Sequence, residues 1–125
     1  MSFSPSDFLD LARSLSQNPM HGLEEACQRS AVSRSYYAAL LVAREKASDR
    51  SGVPYPTQAN THQWTIDHYL NDASPRVKSL GDKLRELHRR RKRADYDVLT
   101  TGMEQEARMA IATAGKLISD IGSLS

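Results

Sequence analysis

At 125 residues, with 39% apolar and 26% charged residues, the chain has the balance of one globular domain rather than a disordered or fibrous segment. Its longest apolar run, Tyr36 to Ala43, is far too short to span a bilayer, no basic stretch leading into an apolar one opens the chain, and the lone Cys27 has no internal disulfide partner. Membrane-spanning, secreted and disulfide-scaffold classes are excluded on these grounds, and a reducing cytoplasm is the expected location. The net charge of +2 conceals an asymmetry: Arg76 to Arg93 holds nine basic residues against Asp82 and Glu86, a net of +7, which leaves −5 for the rest. Such a concentration points to a polyanion or an acidic partner.

The pattern predicts helices throughout. Ser4-Pro5-Ser6-Asp7 supplies a cap and a helix-start proline ahead of Phe8, Leu9, Leu11, Ala12 and Leu15. Asn18-Pro19-Met20-His21-Gly22 interrupts, and a long second helix is expected from about Leu23 to Asp49, stopped by Ser51-Gly52-Val53-Pro54. Its apolar-to-small face is read through Leu23, Ala26, Ser30, Ser33, Tyr37, Leu40 and Ala47, with Arg44 intruding. Ser51 to Asn60 is the one substantial loop. A short helix follows over Thr61 to Leu70, using Trp64, Ile66, Tyr69 and Leu70, and Asn71 to Pro75 both ends it and starts the next.

The fourth helix, from about Pro75 to Leu99, has the clearest seam: Val77, Leu80, Leu84, Leu87, Ala94 and Val98. The fifth, from Met103 to Ile121, repeats it with Met103, Ala107, Ala110, Ala114, Leu117 and Ile121. No window alternates with period two, so strands are not expected. The predicted fold is all-α, an antiparallel up-and-down bundle of four to five helices forming a single domain over residues 1–125.

The fourth seam has one break. The position after Leu87 is Arg91, and a guanidinium on a seam loses hydration and needs a carboxylate, a backbone acceptor or a phosphate. Asp95, one turn on, is a local candidate. Two readings stand side by side: a structural ion pair, or an arginine lining a cleft or subunit interface where its planar fork holds a phosphate. Arg85, Arg89, Arg90, Lys92 and Arg93 spread around the same helix, so not all can face one ligand. Their mutual repulsion, relieved locally by Glu86, favours a nucleic-acid backbone or acidic partner over a plain solvated face. Of the adjacent Tyr36 and Tyr37, beside Arg34, one is expected to pack while the other faces a groove. His62 and His68 share no helix face, so no metal site is expected there. Cys27 reads as a small core residue, and His21 and His88 as surface residues. No glycine-rich phosphate loop or other cofactor signature is present.

Two stretches together carry a family resemblance. Arg29-Ser-Ala-Val-Ser-Arg-Ser-Tyr-Tyr-Ala-Ala-Leu-Leu-Val-Ala-Arg44 resembles the second helix of HEPN domains, and Leu84-Arg-Glu-Leu-His-Arg-Arg-Arg-Lys-Arg-Ala-Asp-Tyr-Asp97 resembles their later helix. The second is closest to a branch with an arginine followed by Ala-Asp-Tyr. Thr61-His62-Gln63 falls where that branch often has a histidine opening the short helix.

The resemblance implies an up-and-down helical bundle. It implies either a metal-independent endoribonuclease, often a toxin or defence effector, or a non-catalytic partner encoded beside a small nucleotidyltransferase. Catalytic members carry arginine, four to six residues, then histidine, and dimerise around one RNA phosphate. The arginine maps onto Arg91, and the fifth residue after it is Tyr96. No histidine lies four to six residues after any arginine of the basic helix. Histidine suits both proton transfers of RNA cleavage at neutral pH, whereas a phenol ionising near about 10 is a poor base.

On this resemblance the expected site has Arg91 on the scissile phosphate, Tyr96 in the histidine position and Asp95 orienting the arginine, with Arg34 and Tyr37 supporting from the second helix. A homodimer acting on RNA is expected, without a cofactor and without membrane association. The alternative is an interaction module whose basic helix docks a nucleotidyltransferase or other acidic protein, with Tyr96 as a target for modification. A purely structural bundle leaves the charge concentration without a reason.

Overall fold

The computed structural model describes residues 3–125. Five helices, α1 (Pro5–Gln17), α2 (Glu24–Ser51), α3 (Thr61–Leu70), α4 (Pro75–Tyr96) and α5 (Met103–Gly122), pack into an all-helical bundle with no strand among the described residues. The α1 start is as the sequence predicts: Pro5 occupies the first turn, and the Ser4 backbone N–H donates to the Asp7 carboxylate at 3.3 Å. Gly52, in the left-handed region at φ 71°, ends α2, where its N–H donates to the Ser48 carbonyl.

The bundle is organised around α2, which packs against each of the other four helices. The sequence places one apolar face on it, and here the structure differs. Leu23 is 51% exposed and Ala26 and Ser30 are also exposed, while Cys27, Ala31, Val32, Ser35, Tyr36, Ala38, Ala39, Leu40, Ala43 and Ala47 are buried. A helix enclosed on several sides has no single stripe, and its alanines and serines allow neighbouring backbones to approach closely. Ser35 satisfies its hydroxyl by donating to the Ala31 carbonyl at 2.8 Å.

Between α3 and α4 the approach is closer still. A Cβ at Gly81 would stand 2.9 Å from both the backbone nitrogen and a side-chain methyl of Leu70. On its other side α3 is tied to α2 by the buried Tyr69 hydroxyl, which donates to the Ala43 carbonyl at 2.7 Å.

The α5 seam is buried at all six expected positions. The α4 seam is buried from Val77 to Ala94 but does not reach Val98, because the helix ends at Tyr96 and leaves Val98 and Leu99 83% and 86% exposed. The stop is imposed from α2. The Arg29 guanidinium donates to the carbonyls of Arg93, Ala94, Asp97 and Thr100 at 3.4, 2.9, 2.9 and 3.2 Å, gathering acceptors from the helix end and from the turn that leads to α5.

Candidate phosphate-binding site

Arg91 sits in the last third of α4 and faces α2. Its side chain is only 11% exposed, and its guanidinium carbon lies 5.7 Å from the Tyr36 ring centre and 5.6 Å from that of Tyr37. The carboxylate one turn on, Asp95, reaches it only at 3.4 Å, and Arg91 Nε is buried without a partner. The planar cation is therefore desolvated, stacked on aromatic faces and incompletely hydrogen-bonded.

Adjacent tyrosines on α2 divide as the helix geometry requires. Tyr36 is fully buried and Tyr37 half-buried at the groove, their ring centres 5.3 Å apart. Arg34 approaches the same Tyr37 ring at 5.1 Å and reaches Phe8 of α1 at 4.9 Å, so of the pair expected to support from the second helix Tyr37 lies against Arg91 and Arg34 against Tyr37. Farther along α2, Arg44 lies 4.0 Å from the ring centre of Tyr55, with its own Nε buried and unpartnered.

Two histidines complete the cluster. His88 precedes Arg91 by three residues and so shares its side of α4. Its ring lies nearly parallel to Tyr36 at 5.0 Å, and His62, from the first turn of α3, lies nearly parallel to both, 5.1 Å from His88 and 5.6 Å from Tyr36. His88 is half-buried rather than the surface residue expected. The Tyr36 hydroxyl and His62 Nδ1 are 2.6 Å apart.

Burial pushes the Tyr36 phenol well above the usual range, against the pull of Arg91, so it keeps its proton and donates to the imidazole. Burial, then Arg91, Lys92 and Arg44, lowers His62. Burial, then Lys92, His62 and Arg91, lowers His88 to about 4. Both imidazoles are thus neutral at pH 7 within a cationic surround.

The rest of the basic helix is partly neutralised. Arg85 pairs with Asp82 at 2.8 Å, and Arg89 pairs with Glu86 at 3.7 Å. Arg90 pairs with Glu86 and, more closely, with Glu106 of α5, while Arg93 also reaches Glu106, at 3.1 Å. Lys92 makes no ion pair among the described residues, and it stands exposed beside the histidines it perturbs. Tyr96, the last helical residue, is 75% exposed and lies about 140° round the helix from Arg91. The structure thus brings Arg91, Asp95, Tyr37 and Arg34 together and leaves Tyr96 on another face of the same chain.

Sequence reasoning read His88 as a surface residue, passed over Glu106, and noted His62 only as the histidine that opens the short helix in the resembled branch. The three-residue spacing of His88 from Arg91 was an available signal, whereas Glu106 arrives from another helix and leaves no local trace near Arg91. Among the described residues no three His, Cys, Asp or Glu side chains form a metal-binding group. A cleft of about 800 Å³ between α1 and α5 lies on other elements, and Arg13, Arg108 and Lys116 around it each pair with an acid on their own helix.

Residues 6–124 match the family model of the HEPN domain, and the chain belongs to that family. Neither the comparison with curated proteins nor that with solved structures gives a match. Among the described residues no helix is long and apolar enough to cross a membrane.

Proposed function

We propose that this HEPN domain is RNA-directed, binding a phosphodiester at Arg91 and cleaving it as a metal-independent endoribonuclease of the toxin or defence-effector kind. The observation that carries the reading is the Arg91 guanidinium, desolvated over two tyrosine rings, its Nε unpartnered and its one carboxylate partner at 3.4 Å. A phosphate oxygen would supply the missing acceptors, and the same cation would stabilise the charge that builds up as phosphorus becomes five-coordinate. Asp95 orients the arginine, and Arg34 and Tyr37 hold the groove wall. Lys92, Arg89 and Arg85 track the RNA backbone, whereas Arg90 and Arg93, held by Glu106, serve mainly the α4–α5 contact.

Under this reading the domain belongs to the branch with an arginine followed by Ala-Asp-Tyr, and it works as a homodimer in the cytoplasm. Tyr96, remote from Arg91 in its own chain, would meet a site only across the dimer. The test is incubation of a mixed cellular RNA pool with the protein in excess chelator, beside Arg91→Ala. Cleavage by the wild type alone, leaving 2′,3′-cyclic phosphate ends, is the expected result. Equal cleavage by both proteins would remove Arg91 from the site.

A second reading, the non-catalytic partner of a small nucleotidyltransferase, is favoured by one feature: Tyr96, Val98 and Leu99 stand 75%, 83% and 86% exposed at the end of the basic helix. Wild-type RNA binding without cleavage, together with co-purification of such an enzyme, would establish it instead.

A further inference from the structure

We infer that His88 and His62 replace the histidine that the arginine motif lacks: His88 as the group that takes and returns the proton in phosphodiester cleavage, His62 as a neutral N–H donor to a phosphate oxygen. The inference rests on the ribonuclease reading; it brings in His88, which neither the motif nor the sequence pattern assigns, and gives a role to His62, which the resemblance marks only by its place at the start of the short helix.

Its basis is convergence on one buried ring. Arg91, His88 and His62 come from two helices, yet all three lie against Tyr36, at 5.7, 5.0 and 5.6 Å from its centre. The two imidazoles then differ in what holds them. The Tyr36 hydroxyl, 2.6 Å from His62 Nδ1, occupies that lone pair and fixes the neutral ring with its proton on Nε2. His62 is thereby a donor in a fixed orientation. His88 has no hydrogen-bond partner among the described residues, so one ring nitrogen keeps a free lone pair. Its burial beside Lys92, His62 and Arg91 keeps that nitrogen unprotonated at neutral pH, and the negative charge of a bound phosphate would raise it towards the working pH that a base for this step needs. Two roles, base and electrophile, are set by environment on chemically identical side chains.

The step balances with no further reactant. His88 takes the proton of the ribose 2′-hydroxyl as O2′ bonds to phosphorus. The bond from phosphorus to O5′ of the next nucleotide breaks, its electron pair passing to O5′, and the His88 imidazolium returns the proton there. The products are a 2′,3′-cyclic phosphate and a 5′-hydroxyl, while Arg91 and His62 Nε2–H share the charge on the non-bridging oxygens. Tyr36 is a positioning residue that acts through His62.

The experiment compares wild type, His88→Asn, His88→Gln, His62→Asn and Tyr36→Phe on one labelled RNA in excess chelator. Binding to a 2′-O-methyl version of the same RNA, which lacks the nucleophile, is measured alongside. The expected result is a loss of cleavage of about a hundredfold or more for both His88 variants, with 2′-O-methyl RNA bound within about threefold of wild type. Tyr36→Phe should cleave roughly tenfold more slowly, and ¹⁵N NMR of His62 should show its proton redistributed between Nδ1 and Nε2. Wild-type cleavage matched by both His88 variants would overturn the assignment and leave the nuclease reading standing. A wild type that binds RNA and cleaves none would overturn both, and the wild-type lane alone separates the two failures.

Discussion

Removing the Arg29 side chain should release the end of α4. The guanidinium donates to four carbonyls at 2.9–3.4 Å, and the bonds to Ala94 and Thr100 are part-buried while those to Arg93 and Asp97 are exposed. Water can replace the exposed pair at little cost. The part-buried pair involves a charged donor, for which about 1.5–3 kcal/mol per bond is typical, and the two share one side chain and do not add fully. Arg29→Ala should therefore destabilise the domain by about 3 kcal/mol, a fall in Tm of roughly 10–15 °C for a domain of this size. Arg29→Lys, with a point charge in place of a planar fork, should recover only a minor part. Thermal unfolding by circular dichroism gives the first number, and amide exchange should show opening concentrated over residues 93–100. The effect should extend to the site, since Asp95 sits in the last turn and holds Arg91 at 3.4 Å. A variant within about 0.5 kcal/mol of wild type, with unaltered exchange over that turn, would refute the idea that α2 terminates α4.

Other perturbations separate fold from site. Gly81→Ala places a methyl 2.9 Å from the Leu70 backbone nitrogen and should cost about 1–3 kcal/mol through displacement of α3, measurable by urea unfolding. Arg90→Gln should lower stability by breaking its part-buried pair with Glu106, whereas Lys92→Gln should leave Tm unchanged and reduce the salt dependence of RNA binding by about one phosphate contact. His62, His68 and His88 are all lowered in the folded state, chiefly by burial, so the unfolded chain binds more protons below the ordinary histidine value. Their contribution is complete above about pH 6.5 and is lost as the pH falls, for His88 down to about 4. That loss is about 1–2 kcal/mol for His88 once its half-exposed ring is discounted for solvent screening, and a flat denaturation midpoint between pH 7 and 4 would contradict it.

The helices were legible because each is punctuated locally. Serine and proline start α1, asparagines flank α3 and glycines bound α5, and the α5 seam lies where its period places it. Two features escaped because they depend on distant partners. The end of α4 is fixed by a guanidinium more than sixty residues earlier, and nothing around Val98 announces it. The face of α2 was misread over its first turns because a helix touched by four neighbours buries alanine and serine on several sides, and periodicity then has no contrast to report.

The site divides in the same way. Arg91 could be singled out from sequence because a charge on an apolar seam contradicts its surroundings wherever the other helices lie. That argument names an anchor without naming its chemistry. Whether such an arginine closes an ion pair or awaits a phosphate depends on which side chains the bundle brings to it. Asp95 reaches the guanidinium at 3.4 Å, and Tyr36 and Tyr37 lie against it, with His62 and His88 stacked on Tyr36. The Asp95 carboxylate takes one N–H of the guanidinium edge and leaves Nε without an acceptor. On the proposed reading, two neutral imidazoles beside an under-satisfied guanidinium would make an anion-receiving surface that can also move a proton, and α3, packed against α2 and α4, brings one of them there. The same packing explains why histidines in such a role would escape a search for the arginine motif: they lie three residues before the arginine and on a different helix, not four to six residues after it.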